Sequence, residues 1–442
     1  MKKILLCLAL LLSLVNLTAA QDADLRVDAA QELGPISPYV YGTNLGLQTI
    51  ISVDMMPVLQ ELNLKYTRYG GGVIDQQSVR KPSIDLFILQ SRQLGAEPSI
   101  TVRLLDGTPE EAADVVRYVN IEKEYNVRYW SIGNEPNFFV AVLDAPSYTT
   151  EDLNREWRAM AEAMLEVDPN IILVGPDISQ YVPLTYEPGN IEYLEGNGGG
   201  DPTDDLGKDW MQEFLRVNGD LIGVVSIHRY PFPGGSNTGI ATVESLRENS
   251  KEWDVIIPNL RQIIRDTTGR DIPIAVTEIN SNSNSHMGAE ASLESFYNAI
   301  WLGDVLGRMI RNQVDIVAFW DTQGDPARGW GLVDRYAVRP VYYTYLMYTH
   351  FGQELLAAES LDPHVSIYAA RRDDGALTLM VVNLGDDEVT KSLQINGFTP
   401  AGDAEVWRFD AEHNAEQIDA QDISGGSITV PGRSMTVYVV QE

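Results

Sequence analysis

From about Pro35 to about His350 the chain alternates short, nearly all-apolar runs with segments whose apolar residues recur at helical spacing. Eight such runs can be counted: Tyr39 to Asn44, Lys65 to Tyr69, Pro98 to Leu104, Arg128 to Gly133, Ile171 to Pro176, Ile222 to His228, Pro273 to Thr277 and Val314 to Trp320. Runs that are apolar on both faces are what a strand covered on both sides needs, and their alternation with helices predicts repeated βα units around a parallel sheet. The helices carry their own start and stop signals. Thr108-Pro109-Glu110-Glu111 offers a cap, a first-turn proline and a capping box, and Leu153, Trp157, Met160, Met164 and Leu165 form one apolar stripe that stops at Asp168-Pro169-Asn170.

Beyond Gly352 the period changes from helical to two. Val365 to Ala370, Leu377 to Asn383, Lys391 to Ile395, Glu405 to Phe409, Ser427 to Val430 and Met435 to Val440 alternate and are joined by turns such as Asp373-Asp374-Gly375. The fold class this predicts is α/β: a (β/α)8 TIM barrel over residues 35–352 with an appended antiparallel β-sandwich over 353–442. Within the segment 21–34, Asp24 to Ala29 is expected to add a strand to that sandwich. An open doubly wound sheet fits less well, because Gly70-Gly71-Gly72 lacks the spacing of a phosphate loop and reads as a tight turn.

Residues 1–20 read as a secretory signal peptide: Lys2 and Lys3 precede the apolar run Ile4 to Leu14, and Thr18-Ala19-Ala20 supplies a small-residue cleavage site. That run is short of the ~20 residues a bilayer needs, so no membrane partner is expected after cleavage, and the location predicted is secreted or periplasmic. Cys7 is the one cysteine of the chain and lies in this leader, so the mature protein is expected to use neither disulfides nor a thiolate metal site. The leader removes two of 32 basic residues and none of the 63 acidic ones, leaving 30 against 63 and a net charge of −33. That balance argues against nucleic acid as a partner and reads as a solvated surface.

In a barrel of this kind the reactive side chains stand just past the C-terminal ends of the strands. Those positions hold Asn44, Arg68, Arg103, Asp106, Asn134, Glu135, Asp177, His228, Tyr230, Glu278, Asn280, Trp320 and Asp321. Two glutamates end otherwise apolar strands: Glu135 in Tyr129-Trp130-Ser131-Ile132-Gly133-Asn134-Glu135-Pro136, and Glu278 in Ile274-Ala275-Val276-Thr277-Glu278. Strands four and seven lie across the mouth from one another. Two carboxyls ~5 to 5.5 Å apart are what glycoside cleavage with retention requires, one attacking the anomeric carbon and the other protonating the departing oxygen.

Asn134-Glu135-Pro136 after the fourth strand and Glu278 after the seventh resemble glycoside hydrolase clan A, over roughly residues 35 to 350. Ile36-Ser37-Pro38-Tyr39-Val40-Tyr41-Gly42 and the appended sandwich are similar to its branch of β-xylosidases, arabinofuranosidases and heparanase-like glucuronidases. The resemblance implies Glu135 as acid/base, Glu278 as nucleophile, Asn134 on the hydroxyl beside the anomeric carbon, Trp320 as an aromatic platform, and a carbohydrate substrate. The acid/base needs a raised pKa and the nucleophile a cation or donor beside it; Arg68 and Tyr230 are the candidates for the latter, and His228 is either a sugar contact or a satisfied strand-end histidine.

Several alternatives share these residues. Asp106, Asp177 and Asp321 are rival carboxylates whose other use is capping and loop hydrogen bonding. Arg68, Arg103 and Arg229 could gather to bind a uronate, or Arg229 could point outward and Arg103 pair with Asp106. Gly198 to Asp209 carries Asp201, Asp204, Asp205 and Asp209 but not the order of a calcium loop, and the segment Asp177 to Lys208 is expected to wall the cleft. His286, His350, His364 and His413 form no zinc motif, and no Gly-x-Ser-x-Gly elbow is present, so no metal or other cofactor is expected. Transfer to a second sugar, or sugar binding by an inactive barrel, are the competing functions.

Overall fold

The computed structural model describes residues 23–47, 49–77, 79–182, 203–232, 241–284 and 287–442; the leader with Cys7, Asp201, His286 and most of the proposed cleft wall lie outside them. Strand β1 is Leu25–Pro35, and the next eight strands close a barrel: β2 (Gly42–Gly46), β3 (Tyr66–Gly70), β4 (Glu97–Val102), β5 (Tyr129–Ile132), β6 (Ile172–Ser179), β7 (Val224–Arg229), β8 (Ile274–Ile279) and β9 (Ile316–Phe319). Neighbours pair in parallel all the way round, and Gly42 and Thr43 of β2 meet Ala318 and Phe319 of β9 to close it. The eight apolar runs each become one of these strands. No described helix is long and apolar enough to cross a membrane.

The barrel interior is layered by the strand period of two. Its lower layer is apolar: Tyr66, Tyr129, Val174, Val224, Ala275, Ile316 and Ala318 form one buried cluster, and Tyr39 closes it from below, its ring centroid 6.0 Å from Tyr66 and 5.7 Å from Tyr129. Two residues further along the same strands the inward positions turn polar, with Arg68, Ser131, Ser226 and Thr277, all fully buried. This order puts charge at the C-terminal mouth and oil at the base. Burying a guanidinium is costly unless it is paired, so the upper layer must supply its partners.

The remaining strands are β10 (Glu354–Ser360), β11 (Val365–Arg371), β12 (Leu377–Asn383), β13 (Val389–Asn396), β14 (Ala404–Phe409), β15 (Asn414–Gln421), β16 (Ser427–Val430) and β17 (Ser434–Val440). With β1 they form a nine-stranded curled sheet in the order β15-β14-β17-β12-β11-β10-β1-β13-β16. All of its pairings are antiparallel except β1 with β13, and β1 runs antiparallel to β10. Curling buries a core of its own, including Leu25, Val27, Ile367, Leu379, Leu393, Val406, Ile428 and Tyr438. The other face rests on the barrel helix Phe296–Arg311, where a Cβ at Gly303 would strike Met435 and one at Gly307 would strike the Tyr368 ring, so two glycines set how closely the sheet approaches.

Candidate active site

Arg68, fully buried, is the hub of the mouth. One terminal nitrogen donates to Asn44 Oδ1 (3.1 Å) and Glu278 Oε1 (2.9 Å), the other to Asn134 Oδ1 (2.8 Å) and Asp177 Oδ2 (3.0 Å). Residues from the ends of four other strands are therefore fixed by one planar fork. Burial works against its charge, but Asp177 and Glu278 hold its pKa above the ordinary arginine value. Asn44 is itself clamped, its amide donating to the carbonyls of Thr277 (2.9 Å) and Ala318 (3.0 Å).

Each acid sits where the backbone leaves its regular course. The pairing of β7 with β8 shifts register at Glu278, so this residue turns inward directly after the inward Thr277. Asp177 follows a register shift in β6 and has φ +56°, and Glu135 just past β5 has φ +53°; non-glycine residues seldom adopt this left-handed region, and here it aims two carboxyls into the cavity. One donor atom each of Glu135, Glu278 and His228 lies within 4.8 Å of the other two. Tyr230 donates to Glu278 Oε2 (2.7 Å), and His228 Nδ1 stands 3.0 Å from Glu135 Oε1 and 3.8 Å from Glu278 Oε2. The Glu135 side chain is 21 % exposed and that of Glu278 6 %, so one carboxyl faces the opening and the other lies deep. Although these three groups could supply metal ligands, the Arg68 cation already occupies Glu278, and a second cation there would meet like charge.

The protons of this cluster are shared. Burial and the facing Glu135 raise Glu278, outweighing His228, Arg68 and Tyr230. Glu135, also opposed by burial, is lowered because His228 hydrogen-bonds and charges against it. His228 itself is raised: burial disfavours its charge, but Glu278, Glu135 and Asp177 together prevail. The sequence led us to expect the reverse order for the two glutamates. The difference arises because burial acts on Glu278 while His228 stands in hydrogen-bond contact with Glu135, so the proton nearest the outer carboxyl rests one hydrogen bond away.

Trp320 is half-buried and its indole lies over Gly71, where φ is +104° and any Cβ would collide with the ring. The glycine run read as a plain turn is thus also the seat of the aromatic side chain. Asn280 donates to the Trp320 carbonyl (2.8 Å) and so fixes it from β8. The rival carboxylates separate. Asp177 accepts from Ser226 and from Thr277 (2.5 Å) as well as Arg68, so it braces the hub; Asp106 is exposed beside Arg103. Asp321 is buried near Glu278 and burial pushes it up to about 7 against the pull of Arg339.

The arginine cluster does not form. Arg229 alternates with inward His228, so it points behind the barrel and pairs with buried Glu252 (2.9 Å), while Arg103 is held by the Leu105 carbonyl (2.6 Å) and Asp106. In the acidic loop Asp204 accepts from Thr150, Leu206 and Lys208, and Asp209 caps the helix Trp210–Asn218, which accounts for both carboxylates without calcium. Sequence reading passed over Asp75 altogether, a buried carboxylate on the turn Ile74–Gln76 that accepts from three backbone N–H groups.

Fold and site together define a parallel barrel with an appended sheet and a pair of glutamates at its C-terminal mouth, each with a carboxylate oxygen within 4.8 Å of the other. Among solved structures, CelM2, a bifunctional glucanase-xylanase from a metagenome library, superposes with a TM-score of 0.72 at 21% identity, covering 94% of this chain and 98% of that one. An α-L-arabinofuranosidase from Thermotoga maritima gives 0.70 at 18% identity, covering 95% and 100%. The chain has the fold of these barrel-plus-sheet proteins. In sequence it is 22% identical over 280 residues to a hyaluronoglucuronidase of Hirudo nipponia, 59% of this chain and 50% of that protein, so it spans about half the length of that curated relative. No family model matches the chain.

Proposed function

We propose that this protein is a retaining glycoside hydrolase that cleaves O-glycosidic bonds in oligo- or polysaccharides by double displacement. The observation that carries the reading is the Glu135–Glu278 pair, with oxygens within 4.8 Å across the mouth and unequal exposure. Glu278, deep and gripped on one oxygen each by Arg68 and Tyr230, attacks the anomeric carbon. Glu135, at the opening, passes to the departing oxygen the proton it shares across its hydrogen bond with His228 Nδ1. When sugar bonds to Glu278 that carboxylate loses its charge, the repulsion on Glu135 falls, and Glu135 takes a proton from the incoming water. Asn134 and Trp320 hold the ring, one by a hydroxyl and the other by its apolar face. The glycosidase names of the structural and sequence relatives support this reading, and the leader-like first twenty residues support export.

The test is covalent trapping with fluorosugars or cyclitol epoxides of several configurations, followed by mass spectrometry of the modified peptide. Attachment at Glu278 is expected, and the sugar that reacts reports specificity. Attachment at Asp177 or Asp321 sinks the assignment of roles; no attachment and no turnover across the panel sinks the hydrolase reading.

A further inference from the structure

We propose that Asp75 is the positioning residue of the acid/base: its carboxylate fixes the turn that carries Asn134 and Glu135, an inference that rests on the acid/base role proposed for Glu135. Past the end of β5 the ladder stops. Gly133 N–H still reaches the Val102 carbonyl (2.9 Å), but the next amide, Asn134, has no strand to bond to. Asp75 Oδ2 takes it at 2.8 Å. Oδ1 takes the amides of Leu104 (2.7 Å) and Leu105 (3.0 Å), which stand in the same position past the end of β4. One side chain, 2 % exposed, therefore ties two adjacent strand ends together above their ladder. Three N–H groups on one buried carboxylate are charge-assisted bonds, and losing any of them leaves a buried donor unpaired.

The residue next to Asn134 makes this hold consequential. Glu135 occupies the left-handed region, a conformation a glutamate keeps only when its surroundings impose it. Beyond Glu135 the chain is secured again by Phe138 N–H on the Glu135 carbonyl (2.8 Å) and by the mutual bonds of Asn137 with Ser179 (3.0 and 3.1 Å). On the near side the anchors are Arg68 on the Asn134 side chain and Asp75 on its backbone. Release of the backbone anchor lets Glu135 relax toward ordinary φ and swing off line from the departing oxygen. Asp75 touches neither glutamate, so it acts only through the turn.

Asp75→Asn keeps the shape and replaces one acceptor oxygen by an N–H donor facing an N–H. A departing dinitrophenolate needs no proton and a plain phenolate does, which separates loss of the acid from loss of fold. With the aryl sugar that wild type accepts, kcat/KM is expected to fall on the order of 10²-fold for the phenyl glycoside and less than about threefold for the dinitrophenyl glycoside. Backbone hydrogen exchange over residues 133–138 is expected to rise about tenfold or more while that of β14 is unchanged. Parallel falls on both glycosides, or unchanged exchange in the turn, overturn the proposal. Should Asp75→Asn fail to fold, Asp75→Glu, which keeps the charge and displaces it by one methylene, is measured by the same two readouts, and the same outcomes support or overturn the proposal. A wild type that turns over no glycoside defeats the hydrolase reading, and the exchange measurement still decides whether Asp75 holds the turn.

Discussion

Two of the molecule's buried charged networks, one at the barrel mouth and one between barrel and sheet, are built to different standards. At the interface Asp304 and Arg308, one helical turn apart, pair at 2.8 Å; Asp304 also accepts from Ser250 (2.6 Å) and Tyr368 (2.6 Å), and Arg308 spends its remaining nitrogens on Asp254 and Ser366. Every polar atom of that pair is used. At the mouth, among the described residues, Arg68 Nε, His228 Nε2 and Asp321 Oδ1 have no hydrogen-bond partner although they are buried. Buried polar atoms are ordinarily paired, so a closed network speaks of architecture and an open one of work. The pKa directions are uniform at the interface and mixed at the mouth, where Asp177 and Glu135 are held down against burial by Arg68 and His228 while two other carboxyls rise. Burial opposes the Asp304 charge, yet Arg308 and the hydroxyls pull it down to about 2, whereas burial drives Asp321 up to about 7 and keeps Glu278 raised.

The contrast can be broken from either side. Arg308→Met leaves Asp304 buried without its cation and is expected to cost about 3–5 kcal/mol in denaturant unfolding, with kcat/KM unchanged wherever the variant is folded. A loss of activity in the folded variant would place the interface network in the chemistry. Arg68→Met is expected to lower kcat/KM by about 10²–10³-fold, since it removes donors from Glu278 and Asn134 together. Its cost in stability should be of similar size to that of Arg308→Met, because Glu278 can take up a proton but Asp177, held low by Arg68, is left buried without its cation; an Arg68→Met enzyme with unchanged kcat/KM would erase the distinction between the two networks. The third effect is a pH dependence. Asp304 has a folded pKa below its unfolded one, so its contribution of about 2 kcal/mol is complete above pH ~4 and is lost as pH falls through about 2. Acid unfolding of wild type should show this loss and Asp304→Asn should lack it; identical acid curves would mean that Asp304 is no anchor.

Much of this was legible in the chain, and the failures have identifiable causes. Most of the eight barrel strands announce themselves because both faces are covered, so their runs are largely apolar. β10, Glu-Leu-Leu-Ala-Ala-Glu-Ser, and β15, Asn-Ala-Glu-Gln-Ile-Asp-Ala-Gln, do not, since they lack β-branched alternation and β15 forms an exposed edge. Arg68, Glu135, Tyr230 and Glu278 were found by asking which polar residues end apolar strands, and the structure brings all four to one cavity. That question cannot find Asp75, which ends no strand, nor tell that Gly71 seats Trp320, because both depend on how loops from different strands cross. Alternation counts against Arg229 from sequence: on a regular strand of period two, His228 and Arg229 face opposite ways, and only a register shift such as that at Glu278 breaks the rule. The pKa directions of the two glutamates were beyond sequence because they depend on how deeply Glu278 is buried and on the imidazole lying 3.0 Å from one carboxyl and 3.8 Å from the other.

The position of β1 has a consequence for how the molecule is made. Its hydrogen-bonding neighbours, β10 and β13, begin at Glu354 and Val389, so β1 must wait for more than three hundred later residues before either edge is covered. Until then Leu25, Val27 and Ala29 have no core to enter. Such distant pairing is slow, and it places closure of the sheet after synthesis of every barrel strand.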